Sequence, residues 1–202
     1  MKRIERSMGW VGWCLVLSMW LPIRDLCAAD APAPVRQTGQ TTSFSTGDDG
    51  NVRKGAIWPT PRFVVNGDGT TTDELTGLIW MQNASCWYTQ TWANALTKVA
   101  GLNGTTESCS GYSGRHTDWR LPSVHELQSL VDAGRLTPAL PTGHPFSGFR
   151  VDNWEWWSGY YWSNTTCAGN TDNAWTVDLR EGYVGNGGKT SSNYVLPVRG
   201  GQ

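Results

Sequence analysis

Apolar residues in this chain come in short runs separated by Gly, Asn, Ser and Thr. Phe63-Val64-Val65 reads as a strand. NGDG at 66–69 reads as a hairpin turn, because Asn and Gly tolerate positive φ, and Thr70-Thr71-Thr72 as the return strand. Leu78-Ile79-Trp80-Met81 is a further apolar run. Helical spacing then takes over: Trp92, Leu96, Val99 and Ala100 share one face, with Thr91 to cap the start and Gly101 to end the helix. A second helix follows in RLPSVHELQSLVDAG. Ser123 and Glu126 form a capping box, Val124, Leu127, Leu130 and Val131 make the stripe, and Gly134 is the expected stop.

After residue 150 the pattern turns to strands. YYWSNTT, AWTVDL, GYV and NYVLPVRG are short runs between Gly/Asn turns, with GNGG (185–188) as one such turn. In AWTVDLR, Trp175, Val177 and Leu179 alternate with Thr176, Asp178 and Arg180. Strands, two helices and a β-rich second half predict an α+β fold, with the helices packed on a twisted antiparallel sheet with long loops.

The termini and composition refine this picture. MKRIER followed by the apolar stretch 8–22 and by Leu26-Cys27-Ala28-Ala29 reads as an export signal over 1–29, cleaved after Ala29, rather than as a membrane span. Residues 30–57 are rich in Pro, Gly, Ser and Thr and are expected to be a flexible linker, with the packed domain over 58–202. The chain carries 16 basic and 17 acidic residues, so bulk charge does not point to nucleic acid or an anionic membrane. Its 13 Trp and 24 Gly predict a turn-rich domain with an aromatic core. Export places the cysteines in an oxidising compartment. Cys86 and Cys109 are the expected disulfide, although spacing alone does not fix the pairing. Cys167 is then left over, as a buried thiol or as a link to another chain.

Several strings together carry a resemblance. They are TGQTTSFSTGDDGNVRKG (38–55), WPTPRFVVNGDGTTTDELTGLIWMQNASC (58–86), DWRLPSVHELQSLVD (118–132), PALPTGHPF (138–146), YYWSNTTCAG (160–169) and the terminal NYVLPVRGGQ. In this order the chain resembles the Lcl-type C-terminal domain family over about 38–202. The resemblance implies an exported bacterial protein with a C-type-lectin-like fold, related to that of formylglycine-generating enzymes. It also implies a binding role like that of the founding collagen-like adhesin, toward sulfated polysaccharides. A homo-oligomer would follow from the adhesin's trimer, but this chain has no Gly-X-Y repeat.

The tail from Trp162 to Gln202 also resembles the variable segment of lectin-fold proteins diversified by retroelements. That resemblance makes its polar positions the ligand surface. They fall in three groups: Asn164, Asn170, Asp172 and Asn173; Asp178, Arg180, Glu181 and Tyr183; Asn186, Ser191, Ser192 and Asn193. Trp154, Trp156 and Trp157 sit in a Ser/Gly/Asp-flanked insertion and are further candidates, since aromatic faces stack on sugars and on protein partners. Trp162 is expected in the core. The partner expected is a polysaccharide or a cell-surface protein.

Catalysis is not expected. His116, His125 and His144 lack zinc-ligand spacing, and no nucleophile elbow or phosphate loop is present. NGDGTTTDE opens like a calcium loop with Asn66, Asp68 and Asp73, but its twelfth position is Gly77, so a hairpin is the better reading. Formylglycine-generating enzymes hold copper with two cysteines near the C-terminus, and none follows Cys167 here. No cofactor is expected.

Overall fold

The computed structural model describes residues 35–149 and 159–200. It is an α+β fold with two sheets. The first strands are β1 (Phe63–Val65), β2 (Thr70–Asp73) and β3 (Leu78–Met81), in antiparallel register with Thr71 opposite Trp80. The closing strand of this sheet comes from the far end of the chain. β9 (Val198–Arg199) pairs with β3 and places Val198 opposite Trp80, giving the order β1-β2-β3-β9. The second sheet has the order β4-β8-β5-β6-β7, from β4 (Thr89–Gln90), β8 (Asn193–Tyr194), β5 (Tyr160–Thr166), β6 (Asn173–Asp178) and β7 (Val184–Gly188). Its pairings are antiparallel except for β5 with β8, which are parallel where Tyr161 meets Tyr194.

The hairpin at 66–69 forms as its residues dictate. Asp68 Oδ1 accepts from Thr70 N at 3.0 Å and from Thr70 Oγ1 at 2.6 Å, so this carboxylate builds the turn. Helix α2 (Trp92–Asn103) starts at Thr91 as expected but runs through Gly101 to a cap at Gly104. The Gly101 carbonyl collects the amides of Gly104, Thr106 and Glu107, so the chain folds back over Gly101 without breaking the helix there. Its buried face is Ala95, Val99 and Leu102, while Ala100 is exposed.

Helix α3 (Val124–Ser129) has both halves of the capping box, but it ends before Leu130 and well short of Gly134. Leu130 and Val131 stay buried in the turn that follows. Glu126 also takes both Arg120 Nη atoms, at 2.7 and 2.6 Å, and Arg120 Nη2 reaches Gly200 O at 2.9 Å. Burial pushes the Glu126 carboxyl up, but the bonds from Arg120 and Ser123 outweigh it and hold the group below its ordinary value. This contact ties the start of α3 to the C-terminal strand.

The core is aromatic. Trp80 and Trp162 are fully buried, and Trp162 Nε1 donates to Gln90 O at 2.8 Å. Rings of Phe63, Phe146, Phe149, Tyr161 and Tyr194 form a chain of neighbours with centroids 5.3–5.7 Å apart, running from β1 to β5 and β8. Edge-to-face geometry dominates these pairs, which adds about 0.5–1.5 kcal/mol each beyond area burial. Cys86 and Cys109 form the expected disulfide. Arg62 and Asp73 make a buried two-point ion pair, Nε–Oδ1 at 3.0 Å and Nη2–Oδ2 at 2.9 Å, and Nη2 also donates to Ser129 O at 2.7 Å.

Two expectations give way here. Residues 35–57, expected to be part of a flexible linker, form a folded strap on the domain. The strap doubles back, with Gln37 N donating to Ala56 O and Ala56 N to Val35 O, and carries helix α1 (Asp49–Val52) at its bend. Arg36 donates to the Gln128 carbonyl in the last turn of α3 and to the Val131 carbonyl just beyond it, Ala133 N donates to Thr38 O, and Trp58 Nε1 donates to Gln37 O. The segment has few apolar residues, so backbone and guanidinium bonds hold it. GNGG, expected as a turn, lies in β7, in register with β6 from Asn173–Gly188 to Val177–Val184.

Candidate functional site

β6 separates the candidate residues into two groups. At its N-terminal end the turn 167–172 is closed by Cys167 N to Asn173 O at 2.9 Å, and Asn170 Oδ1 accepts from Asp172 N at 3.1 Å. Asn173 Nδ2 donates across the strands to Asn186 Oδ1 at 2.8 Å. Asn164, Asn170, Asp172, Asn186, Ser191 and Ser192 are exposed here, and Asn173 and Asn193 are half-buried. The β6–β7 register also sets Trp175 opposite Asn186, and Trp175 is half-buried. Its expected partner on the core face, Val177, is fully buried.

Lys189 organises this end. Its Nζ donates to Thr166 Oγ1 at 3.0 Å and Thr171 O at 2.9 Å and lies 4.2 Å over the Trp92 ring. Trp92 in turn donates Nε1 to Ser163 O and its backbone N to Lys189 O. The first turn of α2, the 167–172 turn and the 189–193 segment are thereby fixed to one another. The ammonium is held by two neutral oxygens and a ring face, a cation–π arrangement. The result is a rigid, amide-rich end of the sheet, with Trp92 under Lys189 and Trp175 opposite Asn186, suited to hydrogen bonding and stacking.

The second group sits at the other end of β6, five residues on, about 17 Å away at strand rise. Asp178 N donates to Tyr183 O and Gly182 N to Asp178 O, which closes the 178–183 turn. Arg180 and Glu181 are half-buried and 3.6 Å apart, and Tyr183 is 62 % exposed. Asp178, expected on the ligand face, is instead buried. Its Oδ1 accepts from Arg180 N at 2.8 Å, and burial raises its pKa, so the carboxylate is committed to its own turn. Both faces of β6 are covered at this point, which is why alternation does not put Asp178 outside. Trp154, Trp156 and Trp157 lie outside the described residues.

A family model described as the Lcl C-terminal domain matches residues 69–199. The chain belongs to the Lcl C-terminal domain family. The match begins in the first hairpin and ends in β9, so it spans β2 to β9, both longer helices and the described candidate residues, while the strap and β1 precede it. No curated protein matches the chain.

Within this Lcl domain, sequence reading alone missed Trp92, Trp175 and Lys189. Trp92 and Trp175 carry ordinary core signals at helical and strand spacing. Lys189 sits after a run read as a turn, and only the β6–β7 pairing reveals its place. Cys167 is a free, half-buried thiol in the 167–172 turn. Among the described residues no cluster of three His, Cys, Asp or Glu is placed to hold a metal ion, and no helix is long and apolar enough to cross a membrane.

Proposed function

We propose that the chain is an exported binding module on a C-type-lectin-like scaffold, whose outer second-sheet surface holds a polysaccharide or a cell-surface protein. One observation carries the reading. Asn164, Asn170, Asp172, Asn186, Ser191 and Ser192 are all exposed at one end of the second sheet, where Asn186 pairs with Trp175 and Lys189 ties down the 167–172 turn, over a body whose large rings are buried. Such a mix of adaptable polar groups and fixed aromatic area also serves antibody loops. Binding is non-covalent and needs no cofactor. The family likeness supports an adhesive role, and the Cys86–Cys109 disulfide supports an oxidising compartment, in the periplasm or at the cell surface.

The test is a glycan array and a surface-protein pull-down with the wild-type chain and with an Asp172→Ala/Asn186→Ala/Lys189→Ala variant. Loss of binding with unchanged melting supports the reading, and unchanged binding removes this surface from it. The exposed positions in the turns on either side of β6 and β7 also suit a diversified tail. A near-duplicate of the 3′ end beside a reverse-transcriptase gene is the observation to seek. The free Cys167 favours a second reading, an assembly subunit of the cell surface. Non-reducing gels and light scattering separate the two, because a strict monomer that binds ligand excludes assembly.

A further inference from the structure

Far from that surface, residues 37–41 of the strap and residues 57–63 face the loop after α3 across a cleft of about 500 Å³. That volume is ordinary for a small-molecule site, roughly 300–1,000 Å³. Two buried ionic groups of opposite sign line it. Asp132 is 7 % exposed, and its carboxylate accepts a single hydrogen bond among the described residues, from Gly134 N at 2.9 Å. It makes no salt bridge there. Arg62 is 6 % exposed and lies 4.5 Å from the Trp58 ring; Asp73 and Ser129 O occupy its Nε and Nη2, while Nη1, itself buried, has no acceptor among the described residues. Arg135 is exposed, with Nη1 on Thr142 Oγ1 at 2.7 Å. Trp58, Pro61 and Pro141 supply apolar wall.

A buried carboxylate with one donor, or a buried guanidinium N–H with no acceptor, costs free energy that a bound partner recovers. The cleft has one of each. A simple anion gives Asp132 no donor beyond Gly134 N. A neutral sugar gives neither group an ionic partner. An apolar molecule leaves both as they are. Only a ligand with a cation and an anion a few bonds apart, plus an apolar group, answers all three features. We propose that this cleft binds a free α-amino acid with an apolar side chain. Its ammonium lies against Asp132, its carboxylate against Arg135 on the side of the Arg62 donor, and its side chain against Trp58, Pro61 and Pro141.

The site is separate from the second-sheet surface, so it stands or falls on its own experiment. The full chain is titrated with L-leucine, N-acetyl-L-leucine, L-leucinamide and glucose, following the Trp58 indole N–H signal by NMR. Leucine is expected to shift that signal saturably. Each blocked analogue loses one ionic contact and binds at least about tenfold more weakly, given about 1.5–3 kcal/mol per hydrogen bond to a charged group. Asp132→Asn keeps an oxygen for Gly134 N and should lose about as much affinity for leucine, but little for N-acetyl-leucine. Arg135→Gln, at an exposed position, gives the matching loss with leucinamide unaffected. Glycan or surface-protein binding at the second sheet stays the same in both variants. No response to leucine at millimolar concentration, or an equal response to leucine and both analogues, overturns the proposal. So does a crystal grown with leucine that shows only water against Asp132.

Discussion

Replacing Asp73 by Asn removes the negative partner of a guanidinium that water hardly reaches. Asp73 is fully buried and receives four donors: Arg62 Nε and Nη2, Leu75 N at 3.1 Å and Thr76 Oγ1 at 3.0 Å. The amide oxygen of Asn can keep only one turn donor, because Leu75 N bonds Oδ1 and Thr76 Oγ1 bonds Oδ2. Its NH2 group, however, faces the Arg62 fork and turns two attractive contacts into at least one repulsive one. Breaking a buried pair in this way costs about 3–5 kcal/mol. For a chain of this size each kcal/mol moves the melting point by roughly 2–4 °C, so Asp73→Asn should melt about 6–20 °C lower. Tryptophan fluorescence in a urea series, with the disulfide intact, reads the loss directly. The double variant Arg62→Met/Asp73→Asn should recover part of it, because no charge is then left buried. A loss below about 1 kcal/mol, the level of exposed pairs, would refute the claim that this pair sits in a dry environment. An Arg62→Met/Asp73→Asn variant no better than Asp73→Asn would refute the unpaired charge as the cause.

Three further outcomes are expected. At Gly39, φ is +91° and an added Cβ would lie 2.3 Å from Asp132 Oδ1 and 2.7 Å from the Trp58 ring, so Gly39→Ala should release the strap. Limited proteolysis should then cut within residues 35–57 while the two sheets survive, and an uncut strap would refute this. Burial raises the pKa of Asp132 above its ordinary 3.8, against the lowering influence of Gly134 N, Arg135 and Arg62. Its stabilising contribution is therefore complete below the unfolded pKa and is lost as pH rises through the folded one. Asp132→Asn should melt higher than wild type at neutral pH, with the gain shrinking toward pH 3.8, and melting curves across that range that stay parallel would refute it. Cys86→Ser paired with Cys109→Ser opens a bridge over 23 residues of separation, and equilibrium unfolding should show a loss of about 3 kcal/mol.

The parts of the fold that local rules govern were legible in the sequence. The 66–69 turn, the Thr return strand, the Ser123–Glu126 box and the burial of Trp162 each rest on a few neighbouring residues. Features made by distant partners were not. The strap looks like a linker because its anchors, Arg36 on the Gln128 and Val131 carbonyls, lie more than ninety positions apart in the chain. β7 has three glycines in five residues, a poor strand by propensity, and exists because β6 offers it a complete ladder. The same pairing sets Trp175 beside Asn186 and brings Lys189 to the surface, so most of the candidate site was readable as residue type but not as arrangement. Asp178 shows the converse error. A clean alternation suggests one open face, and packing on both faces hides the residue.

β9 closes a sheet that begins with β1, and Val198 is fully buried, opposite Trp80 on one side and bridged to Arg120 on the other. Residues 198 and 199 are thus structural members of the first sheet. During synthesis β1, β2 and β3 wait for their closing neighbour until the whole second sheet has been made, so the two sheets must come together before the first is complete. Substitutions at the exposed positions between 164 and 193 leave that closure untouched, whereas changes at the buried Ala174, Thr176, Val177 and Leu179 strike the core.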